Sequence, residues 1–532
     1  MTKAQLIKAT AYALSVHSPL PSDIPHWSAT EDGIFKYTII VPSNYYYAIH
    51  DMIFAKESTI VKIDWGDGQI DEYSNPPGIS LHPNHTYETS GMYTITIYSY
   101  LQSVMFDGGS YETILYSIDS KIPYSKNIST LQTSAKGCFK HCYNLVSIPE
   151  GLFSNNPNIT NFETCFYQCT SLTHAPKEIF SKGAIQLNGC FFRCTSLQSV
   201  SKDLFKNVSH AENFAGCFRY CSSLLEIPKG LFDNCISATN FQYCFNSCES
   251  LLIIPEGLFN GCTLATNFQN CFTYCSSVKS VPNIFNNCTL ATDFGACFAA
   301  CSSLETIAEG LFKNSIYAES FVSCFWKCTS LLSAPSSLFR SSASNVSFLT
   351  CFYQCESLTS ISSDLFTNVP GATNFERCFL YCISLASIPN GLFSNNVNAI
   401  TFEGCFLNCR SLTSLPSGLF YRNRLVTTFR QCFAGCWCLQ SIPSNLFFTS
   451  VTTDFSQCFI YGRDLTTVPS DLFSNTPDVR SFTSCFQDCK NITSSVPELW
   501  ISHSYLTENN TDGCFYGCKL AANYADIPIS WR

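Results

Sequence analysis

From Cys138 to Cys518 one arrangement of apolar and polar positions recurs fifteen times, mostly at intervals of 27 residues. The copies open at Cys138, Cys165, Cys190, Cys217, Cys244, Cys271, Cys297, Cys324, Cys351, Cys378, Cys405, Cys432, Cys458, Cys485 and Cys514. In one copy Phe241, Cys244, Phe245 and Cys248 stand at i, i+3, i+4 and i+7, the apolar stripe expected of a two-turn helix. Thr160 with Glu163 and Thr373 with Glu376 have capping-box spacing, and Thr239 and Thr266 are each followed by Gln at the third position. Ser250-Leu251 to Ile254-Pro255 predicts a short strand, ended by a residue that cannot donate to a ladder. Pro255 to Phe259 predicts one helical turn opened by proline, with Leu258 and Phe259 turned inward. The expected coil is helix, short strand, helical turn and loop, and fifteen such coils over residues 138–518 make an α/β repeat solenoid.

Ahead of the array the period shortens to two. Tyr37 to Val41, Ile60 to Ile63 and Tyr93 to Ile97 read as strands, by alternation and β-branched content. Residues 32–100 are therefore expected to form an all-β sandwich, with Asp67-Gly68 in a tight turn and Trp65 at its centre. Residues 1–31 predict a short amphipathic helix from Lys3 to Val16, then a tether through Pro19, Pro21 and Pro25. That arm reads either as a dock to a larger assembly or as an unstructured leader. Residues 101–137, with apolar runs at Val104 to Phe106 and Ile114 to Ile118 around Gly108-Gly109, are expected to cap the array, and 519–532 to close it.

Two resemblances rest on these motifs. Asp64-Trp65-Gly66-Asp67-Gly68, followed by His85-Thr86-Tyr87 and Gly91-Met92-Tyr93, resembles the PKD family of immunoglobulin-like domains, which implies a non-catalytic spacer or adhesion module. The Cys-Phe-x-x-Cys-x-x-Leu-x-x-Ile-Pro unit resembles the BspA-like leucine-rich repeat family, which implies an exposed solenoid that binds cells, matrix or proteins. The unit departs from that family's commonest form in its Cys before Phe, its greater length and its Pro-x-Gly-Leu-Phe turn.

Charge narrows the partners. Charged residues make up 13% of the chain and the net charge is −9, with 30 Lys and Arg thinly scattered, whereas nucleic-acid binders gather positive charge on one face. Nucleic acid is not an expected partner. No run approaches the roughly 18 apolar residues that cross a bilayer, so no membrane insertion is expected. Lys8 interrupts the N-terminal apolar stretch, although Ala11-Tyr12-Ala13 resembles a cleavage site. The expected location is a cell surface or a virion.

Of the 33 cysteines, 29 sit in the repeated pair and the others are Cys235, Cys262, Cys288 and Cys438. Three readings stand side by side. Disulfides at i, i+4 on a helix are poorly aimed; metal sites have workable spacing but lie among Phe; buried thiols act as small packing groups. Gly462, at the second cysteine position of its unit, shows that a small residue suffices there. Cys235, Cys262 and Cys288 each lie nine residues before the next unit's first cysteine, which predicts a stacked column. Asp64, Asp67, Asp71 and Glu72 read as turn residues, with a calcium site as the alternative. His85 reads as a packed residue, and with His82 it lacks further zinc ligands nearby. No cofactor, metal or catalytic residue is expected, since the phosphate-loop, Gly-x-Ser-x-Gly, Gly-x-Gly-x-x-Gly and His-Glu-x-x-His motifs are absent.

The candidates for partner binding lie between the paired cysteines, off the apolar stripe. Tyr167, Phe192, Tyr220, Tyr274, Trp326, Tyr353, Tyr381, Tyr461 and Tyr516 form a row that either meets a cell-surface glycan or protein or bridges adjacent coils. The expected function is non-enzymatic adhesion or recognition, including that of a bacteriophage appendage. A structural or decorating role in a virion or other assembly, or a bacterial cell-surface adhesin, is the alternative.

Overall fold

The computed structural model describes residues 33–49, 52–56, 58–75, 81–106, 114–125, 131–449 and 451–532. The expected helix from Lys3, its tether and Gly108-Gly109 lie outside the described residues. The chain divides into two compact units, Met1–Leu224 and Leu225–Arg532.

The first unit opens with β1 (Ile34–Val41), β2 (Tyr45–Ala48), β3 (Met52–Phe54), β4 (Ile60–Asp64), β5 (Ile70–Ser74), β6 (Asn84–Tyr87), β7 (Gly91–Tyr98), β8 (Leu101–Val104) and β9 (Leu115–Ile118). A five-stranded antiparallel sheet has the order β5-β4-β7-β1-β9, while β2 pairs with β6 and β3 with β8. Alternation sets the core face: Phe35, Tyr37, Ile39 and Val41 are buried in register with Ile97, Ile95, Tyr93 and Gly91. Trp65 is fully buried. Its Nε1 donates to Asp71 Oδ2 at 2.8 Å, its ring stacks on His85 at 5.1 Å, and its carbonyl accepts the Tyr87 hydroxyl at 2.9 Å. Asp64 and Asp67 accept the Gly66 and Gln69 amides, and Asp67 Oδ2 also lies 2.7 Å from His85 Nε2. These acids thus serve the turn and its tryptophan. Gly66 is required there: φ is +82°, and a Cβ would stand 2.6 Å from Thr94 O.

Segment 101–137 belongs to both the sheet and the array. β8 and β9 join β3 and β1, yet Ile118 N also donates to Ser147 O of the first coil, and Phe106 stacks on Phe139 at 5.3 Å. The first Phe ladder is therefore begun by a residue outside the repeats.

The coils correct the expected helix. Among the described residues the repeated Cys-Phe turns contain none; a helix appears at Leu499–Ser502, in the stretch between the last two cysteine pairs. Residues Phe241 to Cys248 make successive tight turns, with Cys244 N bonded to Phe241 O, Asn246 N to Tyr243 O and Cys248 N to Phe245 O. Tyr243 and Ser247 hold φ of 57° and 60°, the left-handed value that a third turn residue takes in type II turns. The amides between go to the next coil: Phe241 to Asn267 O, Tyr243 to Gln269 O, Phe245 to Cys271 O and Ser247 to Thr273 O, at 2.7–2.9 Å. A helix would send each N–H back four residues. Here alternate donors are spent on the neighbour, so four apolar positions face inward without one. The proposed capping boxes have no helix to cap. The Asn before the first Phe serves instead, as where Asn161 Oδ1 accepts Glu163 N and Asn374 Oδ1 accepts Glu376 N. The Pro255–Phe259 turn is likewise not helical: Gly257 has φ +71° and Asn260 N returns to Gly257 O. Leu258 and Phe259 are buried, as the pattern requires.

Strands are reduced to bridges. The expected one lies at Ser280–Val281 against Thr306–Ile307 and at Ser333–Ala334 against Ser360–Ile361, both parallel, with Pro282 and Pro335 ending one strand of each pair. A second column was not expected: Asn240, Asn267, Asp293, Ser320 and Ser347 bridge one another in turn. Inside, Phe241, Phe268 and Phe294 stack at 5.6 Å, Phe245, Phe272 and Phe298 at 5.4–5.5 Å, and Phe259 and Phe285 at 5.7 Å. All are fully or almost fully buried, which contributes about 1.5–3 kcal/mol per side chain.

A buried polar column runs beside these rings. Asn423 Nδ2 donates to Phe393 O at 3.2 Å and Asn396 O at 2.8 Å, and Asn396 Nδ2 to Phe366 O and Val369 O. Replacing Asn423 by Ala removes the donor from both carbonyls and should cost about 1–3 kcal/mol. Amide exchange should report the loss as faster exchange confined to the coils around residue 423. Unchanged protection there would contradict it.

Candidate functional site

The two residues that follow Phe between paired cysteines lie at the apex of the turns, buried in some coils, as at Asn246 and Ser247, and exposed in others, as at Tyr274 and Tyr461. The second of them takes positive φ whatever its side chain: Gln168, Arg193, Ser247, Ala300, Lys327 and Asp488 have φ of 56–60°, as do Tyr220, Tyr274, Tyr381 and Tyr461 at 60–63°. The strain of a non-glycine residue there, about 1–3 kcal/mol, is therefore imposed by the coil. What varies is the side chain displayed.

The nine candidate aromatics do not make one row. Tyr167, Phe192, Trp326, Tyr353 and Tyr516 occupy the first apex position, and Tyr220, Tyr274, Tyr381 and Tyr461 the second. In the first unit Tyr167 stacks on Phe192 at 4.9 Å with planes 6° apart, His141 meets the edge of Tyr167, and Phe192 meets Tyr220 at 5.4 Å. Lys140 lies over Tyr167, while Arg193 and Arg219 lie 5.0–5.8 Å from Phe192 and Tyr220. In the second unit Trp326, Tyr353 and Tyr381 follow one another at 6.4 and 6.2 Å, with Lys327 at 4.7 Å from Trp326. Tyr274, Tyr461 and Tyr516 stand apart, 48%, 47% and 56% exposed. The grouped rings are half-buried. Part of each ring bridges coils and part remains on the surface.

Three features escaped the sequence. The cations Lys140, Arg193 and Arg219 gather on the first aromatic cluster, and their spacing of about two repeats and then one was the available signal. Trp437, just after a second cysteine, has Arg410 Cζ 4.2 Å and Arg463 Cζ 4.0 Å from its ring centre. A depression of about 590 Å³ in the second unit is lined by Lys313, Ile316, Arg340, Ser342 and Asn368 among others.

The thiols face the opposite way, into the coils. Second cysteines along the array donate to the carbonyl of the Phe one coil back, as Cys275 to Phe245 O, Cys301 to Phe272 O and Cys328 to Phe298 O at 3.1–3.2 Å. This donor role is more specific than the small-residue role expected for them. At Gly462 a Cβ would lie 3.3 Å from both Cys489 Sγ and Phe459 O. Cys235, Cys262 and Cys288 do align, with Cys262 and Cys288 donating to Phe232 O and Phe259 O at 3.7 Å. All 33 cysteines carry thiols, and Cys438 alone is not fully buried.

Burial pushes the Cys301, Cys436 and Cys518 thiols up to about 12. Such groups favour the neutral form inside the fold, as structural rather than nucleophilic cysteines do. Iodoacetamide at neutral pH should label Cys438 and leave the others to react after denaturation, as read by mass spectrometry; labelling of Cys301 in the native protein would contradict this. Because the folded value lies above the ordinary 9.0, the stability from these thiols is complete below about pH 9. It falls as pH rises toward 12, by about 1.4 kcal/mol per unit and thiol. The urea midpoint in reductant should therefore drop steeply above about pH 9.

No family model matches the chain, and no curated protein matches it. Eighteen solved chains do. A leucine-rich repeat protein from Eubacterium ventriosum is 13% identical, with a TM-score of 0.24, and the match covers 76% of this chain and 89% of that one. TLR13, in its complex with ssRNA13, is 10% identical with a TM-score of 0.13, over 74% of this chain. This chain spans 60% of that one's length. The coil geometry described above stands on its own contacts.

Proposed function

We propose that this chain is a non-enzymatic recognition protein of the leucine-rich-repeat kind, in which the coils hold a partner and the N-terminal β domain spaces or attaches them. The observation that carries this is the division of labour in the repeat. Phe, Leu and Cys positions are nearly uniform and buried, whereas the apex positions vary and bear aromatic groups, such as Tyr167 on Phe192 with Lys140 and Arg193 alongside. Amphipathic rings with few rotamers suit a glycan or protein surface. The resemblance to BspA-like repeats and a PKD-like module supports the same reading and extends it to exposure on a cell surface or virion. A decorating role within an assembly is the competing outcome.

Replacing Tyr167, Trp326 and Tyr353 together by Ala should lower binding of the purified chain to target cells or to a glycan array at least tenfold. The circular dichroism spectrum and urea midpoint should change little, since these rings are half-buried. Unchanged binding with unchanged stability would remove the aromatic clusters from the mechanism. Absence of any cell or glycan binding by the parent chain, with co-purification in a capsid or fibre, would favour decoration.

A further inference from the structure

In the second unit, the position after the second cysteine changes character along the coils. It is Glu249, Ser276, Ser302, Thr329, Glu356 and Ile383, and then Arg410, Trp437, Arg463, Lys490 and Lys519. Stacking turns this last run into a contiguous strip. Arg410 from the coil before and Arg463 from the coil after bracket the Trp437 ring at 4.2 and 4.0 Å, which holds two guanidinium planes within about 8 Å of each other despite their like charge. Arg410 Nε is buried and has no hydrogen-bond partner. Neither arginine has a carboxylate in ion-pair range among the described residues, unlike Arg377, which meets Glu376 and Glu403. On this strip and the positions beside it the carboxylates are Asp464, exposed next to Arg463, and Asp488, which pairs with Lys490 at 3.2 Å. Four cations thus face two acids, on a chain whose net charge is −9.

We propose that this strip binds a linear acidic polysaccharide, its carboxylates or sulfates seated on the guanidinium and ammonium groups. It is a second site, and it does not depend on the aromatic clusters being a ligand face. Guanidinium groups lie over Trp437 from the coils before and after it, so charge rather than ring stacking draws the ligand to it, and although Arg410 Nε is buried, the exposed Arg463 keeps its in-plane N–H edges for oxyanions. Sugar rings have partners close by in Tyr461 and Tyr516, 47% and 56% exposed, on the same run of coils.

The pitch selects the polymer. The underlying rings Phe433, Phe459, Phe486 and Phe515 follow one another at 5.6, 5.3 and 5.5 Å. An extended acidic peptide places same-side carboxylates about 6.7 Å apart and leaves register within a few coils. A nucleic-acid strand stacked as in a duplex carries a charge every ~3.4 Å. A saccharide with one acidic group per pyranose ring repeats on the scale of a single ring, as the coils do.

The test uses the full chain with heparin as the sulfated probe and polygalacturonate as the carboxylated one, affinities being read by titration calorimetry and by salt elution. Binding to either is expected. R410Q/R463Q should weaken it at least tenfold and flatten its salt dependence, while K313Q, outside the strip, should leave it unchanged. K490Q/K519Q, at two exposed positions, should weaken binding several-fold and serves if the arginine variant fails to fold. No binding to either polysaccharide, equal binding by polyglutamate or a single-stranded oligonucleotide, or unchanged affinity in both double variants would overturn the proposal. If R410Q/R463Q loses polysaccharide while the Tyr167, Trp326 and Tyr353 variant keeps it, the strip acts independently of the aromatic clusters.

Discussion

The repeat depends on how backbone amides are shared between a coil and its neighbour. From Phe241 to Cys248 the donors alternate, one closing a turn and the next crossing to the following coil. That alternation requires left-handed residues at Tyr243 and Ser247, and it sets the spacing at which Phe272 meets Phe245, 5.4 Å away. Buried amides and carbonyls must find partners, so a coil cannot relax without its neighbour. Stability is accordingly a sum of local coil terms and interfaces between nearest neighbours.

The cysteine pair belongs to the same arrangement. A carbonyl such as Phe245 O, already accepting Cys248 N, also receives the Cys275 thiol. A thiol is small enough for the coil spacing, and its weak donor costs less to bury than a hydroxyl or amide. In the separate column of Cys262 and Cys288, Asn396 and Asn423 stand in place of the thiol with stronger donors. Cysteine content here follows from packing geometry.

Much of this was legible in the sequence. The 27-residue period, the inward Phe, Leu and Cys positions, the β1, β4 and β7 strands and the burial of Trp65 all follow from pattern. The helix did not survive, because residues at i, i+3, i+4 and i+7 face one way in a chain of tight turns as well as in a helix. The discriminating fact, positive φ at Tyr243 and Ser247, has no sequence mark when Tyr, Gln, Ser and Lys all accept it. The aromatic candidates were found by position, but their division into clusters was not, since one list mixed two apex columns. Arg410 and Arg463 were passed over as thin charge, because 53 residues of sequence separate them and only the coil register brings both to Trp437.

That last case shows what a solenoid does with a sparse sequence. In a compact domain a surface cluster needs residues from several elements. Here one substitution per repeat, at one position of the turn, builds a strip whose spacing is fixed by the core beneath it. Such strips can change along the array without disturbing the fold where the position is exposed, as at Tyr274, Tyr461 and Lys490, rather than buried, as at Ser247 and Ala299. The left-handed turn at the second apex position is imposed by the coil whichever residue it displays. Ligand choice is thereby separated from folding: the interior keeps Phe, Leu and Cys nearly constant, while aromatic groups gather around Phe192 and Tyr353 and cations around Trp437.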